Sequence, residues 1–288
     1  MNWIYEFPFQ LTIDTSAIDK GVRSFALTFD AVLRVIRQGL TSILVLISDL
    51  LTLIPWWVLV LLVIGLYFKQ SKRIWMSLIY GGLLSLIGFI GFWPLMISTL
   101  SIVITAVILS VILGFPLGLL LSLSERANMI MRPVLDTMQT MPVFVYLIPA
   151  MILFGLGRVP AVMATVIYAI VPIIRLTNLG IRQVNPEIVE ASKSFGATTL
   201  QTLIKVQIPQ AFTTIMAGLN QTLMMAMAMV VTASMIGAPG LGAEVLIAVN
   251  RIEIGRGLVS GSTVVILAII LDRLSQGWVK PTSEEDGV

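Results

Sequence analysis

The sequence predicts an all-α integral membrane protein, a helical bundle of about seven transmembrane helices. Of its 288 residues, 57% are hydrophobic and only 11% are charged, whereas a soluble domain is usually about 25% charged. The charges also leave long gaps, since none occurs between Arg73 and Glu125. Because about 20 apolar residues are enough to cross a bilayer, this one gap already holds two crossings.

Each predicted span is a charge-free run bounded by charges, prolines or glycines. The seven spans cover residues 51–68, 74–92, 95–121, 138–156, 160–177, 213–235 and 257–274. The long gap divides at Gly91-Phe92-Trp93-Pro94, where glycine and proline interrupt a helix and tryptophan favours the membrane interface. We therefore predict a transmembrane domain over residues 51–275, preceded by a tail over 1–50 and followed by a tail over 276–288.

The N-terminal tail predicts an amphipathic helix. Apolar residues recur at spacings of three and four from Val22 to Leu40, and charged residues occupy the opposite side. Such a helix either lies on the membrane surface or packs on the protein's own bundle, and the sequence leaves both open. Residues 40–54 are apolar enough for an eighth crossing, but Asp49 would be costly at mid-bilayer depth. We interpret this segment as interfacial.

The distribution of lysine and arginine predicts the orientation. With seven crossings, eleven of these residues fall on one side of the membrane and seven on the other. Short loops rich in lysine and arginine face the cytoplasm. We expect a multi-pass protein of the plasma or inner membrane with its N-terminus outside and its C-terminus cytoplasmic. The longest connection, residues 178–210, is then cytoplasmic as well.

The composition excludes several kinds of chemistry. The chain has no cysteine and no histidine, which removes disulfides, thiolate nucleophiles and Cys/His metal sites. We therefore expect no catalytic residue and no metal site. The net charge of +3 is too small to indicate nucleic-acid binding. The sequence also lacks the G-x-x-x-x-G-K-[ST] motif that binds ATP phosphates, so energy from ATP would have to come from a partner.

The connection over residues 178–210 predicts a hairpin of two short helices. Asn185 is a suitable N-cap, and the proline after it fits the first helical position. Gly196 can adopt the left-handed conformation that ends this helix. Thr198 and Gln201 fit a capping box that opens a second helix. Since the hairpin carries apolar residues but has little core of its own, we expect another protein to dock on it.

The same loop resembles the EAA motif of ATP-binding-cassette importer permeases. That motif runs Glu-Ala-Ala, three residues, Gly, nine residues, Ile, one residue, Leu-Pro. The matching positions keep this spacing and are Glu190, Ala191, Ser192, Gly196, Val206, Ile208 and Pro209. Serine replaces the second alanine, and the aliphatic pair is replaced conservatively.

This resemblance implies a permease subunit with the type I importer fold. In that family the hairpin is the coupling helix that inserts into a cleft of the ATPase subunit, which would be the role of Glu190, Ala191 and Gly196. One hairpin per chain implies a homodimer that docks two ATPase subunits carrying ATP and Mg²⁺. A separate extracellular or periplasmic solute-binding protein would deliver the substrate.

Two further segments are similar to the glycine betaine and proline betaine branch of these permeases. They are residues 136–150, DTMQTMPVFVYLIPA, and residues 235–244, MIGAPGLGAE. The likeness implies import of glycine betaine or a related compatible solute, and hence osmoprotection. Two other classes stay open, an ion-driven secondary transporter and a non-transporting membrane scaffold. The inverted repeats and midplane charges common in secondary transporters are not evident.

Polar, methionine and aromatic residues inside the spans are candidates for a translocation pathway. Intramembrane polar groups are often functional, methionines can repack as a gate, and an aromatic ring can face a cation. The candidates are Tyr146, Asn220, Gln221, Met224, Met225 and Met227. The alternative is that these residues only join or pack the helices.

Overall fold

A computed structural model describes residues 15–277, and every regular element within that range is helical. The α-helices are α1 (Thr15–Thr28), α2 (Asp30–Leu53), α3 (Trp56–Ser71), α4 (Ile74–Phe89), α5 (Trp93–Leu123), α6 (Glu125–Thr140), α7 (Val143–Phe154), α8 (Arg158–Arg182), α9 (Pro186–Ser194), α10 (Thr199–Thr202), α11 (Ile208–Thr232), α12 (Leu241–Arg251) and α13 (Ile254–Gln276). A π-helix, Leu203–Gln207, precedes α11, and a 3₁₀-helix, Ala233–Ile236, follows it.

The predicted helical membrane bundle is confirmed. Five elements in the described range are long and apolar enough to cross a bilayer, namely α2, α5, α8, α13 and the continuous helical segment Thr199–Ile236. The pair α6 and α7 passes the same test together, but the two helices meet at 95°. The apolar helices α3 and α4 have 16 residues each. At 1.5 Å per residue each is about 24 Å long, slightly less than the hydrocarbon thickness.

The boundaries of two predicted spans are wrong, and proline is the reason in both. The span 51–68 is interrupted, because α2 ends at Leu53 and α3 begins only after Pro55. The span 138–156 is broken between α6 and α7, where Met141 is extended and Pro142 follows. The ring of a proline disfavours the helical conformation of the residue before it, and proline itself lacks the N–H that a helix needs. The 12-residue α7 is too short to cross alone.

The amphipathic segment near the N-terminus contacts the protein's own bundle through part of its predicted apolar face, and most of that face is exposed. Leu33, Leu40 and Leu44 of α2 are buried, and α2 lies mainly against α5. The boundary expected at residue 50 falls inside α2. Asp49 lies four residues before the end of this helix, so a membrane-crossing α2 would place its carboxylate near the interface rather than at mid-depth. The outer parts of the two tails, residues 1–14 and 278–288, lie outside the described range.

The centre of the bundle is α8, which packs against α5 on one side and α11 on the other. Glycines make this close approach possible. A Cβ added at Gly114 of α5 would lie 2.5 Å from a side-chain atom of Ile173, and one added at Gly118 would lie 2.8 Å from the carbonyl oxygen of Ile174. On α11, a Cβ at Gly218 would lie 3.0 Å from Leu176. Both contacts of α8 therefore depend on residues without a side chain.

The α5–α8 contact can be tested with Gly118→Ala. The added Cβ would also come within 2.7 Å of Thr177 Cβ, so the two helices would have to separate, and overpacking of this kind costs about 1–3 kcal/mol. We expect a lower Tm for the purified variant in detergent. The matched control is Gly82→Ala in α4, where nothing lies within 4 Å of an added Cβ. Equal Tm values for both variants and the wild type would contradict the close-packing argument.

Candidate functional site

The hairpin predicted between two spans is formed by residues 185–202, and its two helix starts are capped as the sequence indicated. The Asn185 side chain accepts a hydrogen bond from the N–H of Glu187 at 2.9 Å. At the second start, the N–H of Thr198 donates to Gln201 Oε1 at 2.8 Å, and the N–H of Gln201 donates to Thr198 Oγ1 at 3.3 Å. These local caps define where each of the two helices begins.

The turn of the hairpin is built on Gly196. Its φ is +82°, and its N–H donates to the Lys193 carbonyl at 2.9 Å. The two arms are joined by the hydroxyl groups of Ser192 and Thr202, which lie 3.2 Å apart. The serine that replaces the second alanine of the motif therefore has a partner across the hairpin.

Most apolar side chains of the hairpin face outward. Phe195, at the turn, is 93% exposed, and Leu200 is 64% exposed. Glu190 and Ala191 are exposed beside them. An exposed aromatic residue surrounded by aliphatic and charged groups is typical of a protein-docking surface.

The second half of the motif continues directly into the sixth predicted span. Val206 belongs to the π-helix, Ile208 begins α11, and Pro209 is its second residue. The N–H of Ile208 donates to the carbonyl of Leu203, five residues earlier. In an α-helix the ring of a proline collides with the carbonyl four residues before it, so the wider π-turn accommodates Pro209 without a break. The hairpin and α11 therefore form one connected helical segment.

A cleft of about 270 Å³ separates the hairpin from the end of α5. Glu190 and Lys193 line it from α9, Arg182 from the end of α8, and Ser122 from α5. The glutamate of the motif thus lies near the junction between the hairpin and the transmembrane bundle.

The structure brings together three of the six pathway candidates. Asn220, Gln221 and Met224 line a concave surface along α11 that encloses a volume of about 610 Å³. Tyr146 and Met227 are buried, at 7% and 2% exposed. Met225, which is partly buried, packs against the hydrophobic core. The other three candidates therefore pack within the bundle of this chain.

Asn220 also joins two helices. Its Nδ2 donates to Asp272 Oδ1 of α13 at 3.0 Å, and its Oδ1 accepts a hydrogen bond from the Ser275 hydroxyl. Gln276 Nε2 donates to the same Asp272 oxygen at 2.7 Å. This polar cluster satisfies groups that would be costly to leave unpaired in hydrocarbon. Sequence reasoning did not pair Asn220 with Asp272, because the two lie 52 residues apart.

The fold and the site define a polytopic helical membrane protein whose bundle carries a capped hairpin with exposed apolar residues. That combination is expected of a transport subunit moved by a partner protein. Residues 106–281 match the family described as binding-protein-dependent transport system inner membrane component. The chain belongs to this family, the permeases of ATP-binding-cassette importers.

Individual relatives agree with this assignment. The chain is 47% identical over 276 residues to the glycine betaine/carnitine transport permease protein GbuB of Listeria monocytogenes serotype 1/2a (strain 10403S), covering 94% of this chain and 96% of that protein. It is 45% identical over 260 residues to the glycine betaine transport system permease protein OpuAB of Bacillus subtilis (strain 168), covering 90% and 92%. A solved structure of the MetNI methionine ABC transporter in an inward-facing conformation shares the fold, with a TM-score of 0.54 and 22% identity over 62% of this chain and 88% of that chain.

The predicted resemblance to importer permeases is confirmed, and the fold is that of an importer permease. Family membership decides against the ion-driven transporter and the scaffold. It also implies an ATPase and a solute-binding protein as partners, and it makes the chain a multi-pass membrane protein.

The turn of the hairpin can be tested with a pair of substitutions at Gly196. Valine at φ +82° is strained by about 1–2 kcal/mol, whereas asparagine tolerates the left-handed conformation. We expect Gly196→Val to weaken co-purification with the cognate ATPase and Gly196→Asn to retain it. Membrane insertion, measured by the yield of folded protein, should be the same for both. Equal ATPase retention by the two variants would show that the turn conformation is not required for docking.

Proposed function

We propose that this chain is the membrane permease of an ATP-driven importer for glycine betaine or a related compatible solute. The observation that carries the proposal is the identity of 47% and 45% to two permeases named for glycine betaine, over 90% or more of the chain in each case. The substrate would move by alternating access, and the ATPase activity would reside on a partner subunit that binds ATP and Mg²⁺.

The proposed assembly is a homodimer with two ATPase subunits inside and a solute-binding protein outside. In this assembly the N-terminus of each permease chain would lie outside and its C-terminus would be cytoplasmic. Exposed positions of α11 support a second copy, since they recur every three or four residues on one face. They are Thr213, Ala217, Gln221, Met224 and Ala228. Small and polar side chains are poor partners for lipid, and a glutamine facing hydrocarbon is costly.

The hairpin residues are proposed to contact the ATPase. Glu190, Ala191 and Phe195 present the exposed surface, and Gly196 and Ser192 hold its shape. Val206, Ile208 and Pro209 connect that surface to α11. The face of α11 with Gln221 and Met224 would line the pathway between the two permease copies, so ATPase movement would reach the pathway through one helical segment.

Reconstitution tests this function. The purified permease would be placed in proteoliposomes with its ATPase, its binding protein and a panel of glycine betaine, carnitine, choline and proline. We expect uptake of at least one quaternary ammonium compound that depends on ATP and on both partners. Uptake driven by an ion gradient without the ATPase would overturn the proposal, and uptake of proline alone would overturn the substrate class.

Two neighbouring residues separate pathway lining from helix joining. Asn220→Leu removes hydrogen bonds to α13, and we expect a loss of stability on the order of 1 kcal/mol per bond, seen as a lower Tm. Gln221→Leu removes an exposed group of the concave surface, and we expect near-native Tm with slower uptake or altered preference among the panel. Native uptake by Gln221→Leu would remove this face of α11 from the pathway.

A further inference from the structure

The last residue of α8, Arg182, connects the base of the hairpin to two other helices. It precedes the N-cap of α9 by three residues. Its Nε donates to Asn178 Oδ1 at 2.9 Å, and its Nη2 donates to the carbonyl oxygen of Leu121 in α5 at 2.9 Å. Its Nη1 forms an ion pair with Glu125 of α6. All three nitrogens of one rigid guanidinium group therefore have a partner at the point where α5, α6 and α8 meet.

The contact with Leu121 satisfies a group that α5 leaves open. Leu121 lies in the last turn of α5, where carbonyl oxygens have no intrahelical partner and the helix dipole is negative. A guanidinium group is well suited to that position because it offers charge and several donors. A lysine would keep the charge but lose the planar fork.

Two more contacts attach α6 to α8 along its length. Asn178 Nδ2 donates to Asn128 Oδ1 at 2.7 Å, and Arg175 forms an ion pair with Asp136. A single exposed ion pair contributes little, and the Glu125 side chain is 68% exposed, so the strength of the attachment lies in the connected set of contacts rather than in this one pair. The result is that α6 is held to the same helix that leads into the hairpin.

The helix α6 leads in turn into the broken part of the bundle. It meets α7 at 95°, and the Tyr146 hydroxyl of α7 donates to the Met138 carbonyl of α6, across the bend. A displacement of α6 is therefore passed to α7, whose buried residues Tyr146 and Leu147 belong to the hydrophobic core.

We propose that Arg182 is a positioning residue that makes α6 move together with the hairpin, so that ATPase movement reaches α7 as well as α11. This inference rests on the proposed function. Movement of the hairpin would then reach the bundle by two routes. One is the continuous helical segment into α11, and the other is the set of polar contacts from the end of α8 to α6.

The test uses the complete complex with its ATPase. The permease chain has no cysteine, so Met129→Cys in α6 and Ser194→Cys in the hairpin place one pair of spin labels in each permease copy. Any cysteine of the partner subunits is first replaced by serine, and the two single-cysteine variants identify the distances between the two copies. We expect the distance between the labels to stay the same with and without ATP. In an Arg182→Gln background it should broaden and become dependent on nucleotide. A label distance that already changes with ATP when Arg182 is present would overturn the proposal.

A functional measurement accompanies the spectroscopy. We expect Arg182→Gln and Arg182→Lys to raise the amount of ATP hydrolysed per solute imported above the wild-type value, because part of the ATPase movement would no longer reach α6 and α7. The ATPase should still co-purify. Arg126→Gln is the matched control, an exposed arginine of α6 outside this set of contacts, and its ratio should equal the wild-type value.

The outcomes separate the two levels of inference. If the wild-type complex imports no quaternary ammonium compound, the proposed function fails. If it does, and Arg182→Lys hydrolyses ATP with the same ratio as Arg126→Gln, only the positioning role fails. The lysine variant keeps the charge and most of the length of the side chain, so it also decides the question if Arg182→Gln does not fold.

Discussion

The rest of the structure depends on the close contact of α8 with α5 and α11. Glycines at Gly114, Gly118 and Gly218 bring the helix backbones together, and the apolar part of α8 is the most completely buried of the candidate spans, at 67%. In lipid there is little hydrophobic force between helices, so dispersion contacts at short distance have to supply the association. The hairpin follows directly after the end of α8, so it is attached to the most deeply packed helix of the bundle.

The hairpin combines locally capped helix starts with apolar side chains that are exposed within the described part of the chain. Its caps and its glycine turn are satisfied within residues 185–202, while Phe195 is almost fully exposed. A preformed surface loses less conformational freedom on binding. In the proposed complex, the hairpin would therefore present its exposed apolar residues to the ATPase without first having to fold.

Local features of the fold and the site could be predicted from the sequence, and distant pairings could not. Asn185, Gly196 and the Thr198–Gln201 box follow rules that act over three or four residues. The breaks at Pro55 and Pro142 do not follow from hydropathy, because the apolar, charge-free runs continue through both prolines. The pairs Asn220–Asp272 and Arg182–Glu125 join residues more than 50 positions apart, and one sequence does not indicate which helices become neighbours.

The π-turn between the hairpin and α11 affects the direction in which the side chains of α11 point around the helix axis. A π-turn accommodates one residue more than an α-turn, and one residue corresponds to about 100° around an α-helix. The five residues Leu203–Gln207 therefore determine the angle about the α11 axis at which Gln221 and Met224 project, relative to Phe195 in the hairpin. Deleting one of them would turn that stripe toward a different neighbour while leaving every side chain of both surfaces intact. The orientation of the hairpin surface relative to the exposed face of α11 is thus determined by the backbone conformation of the π-helix.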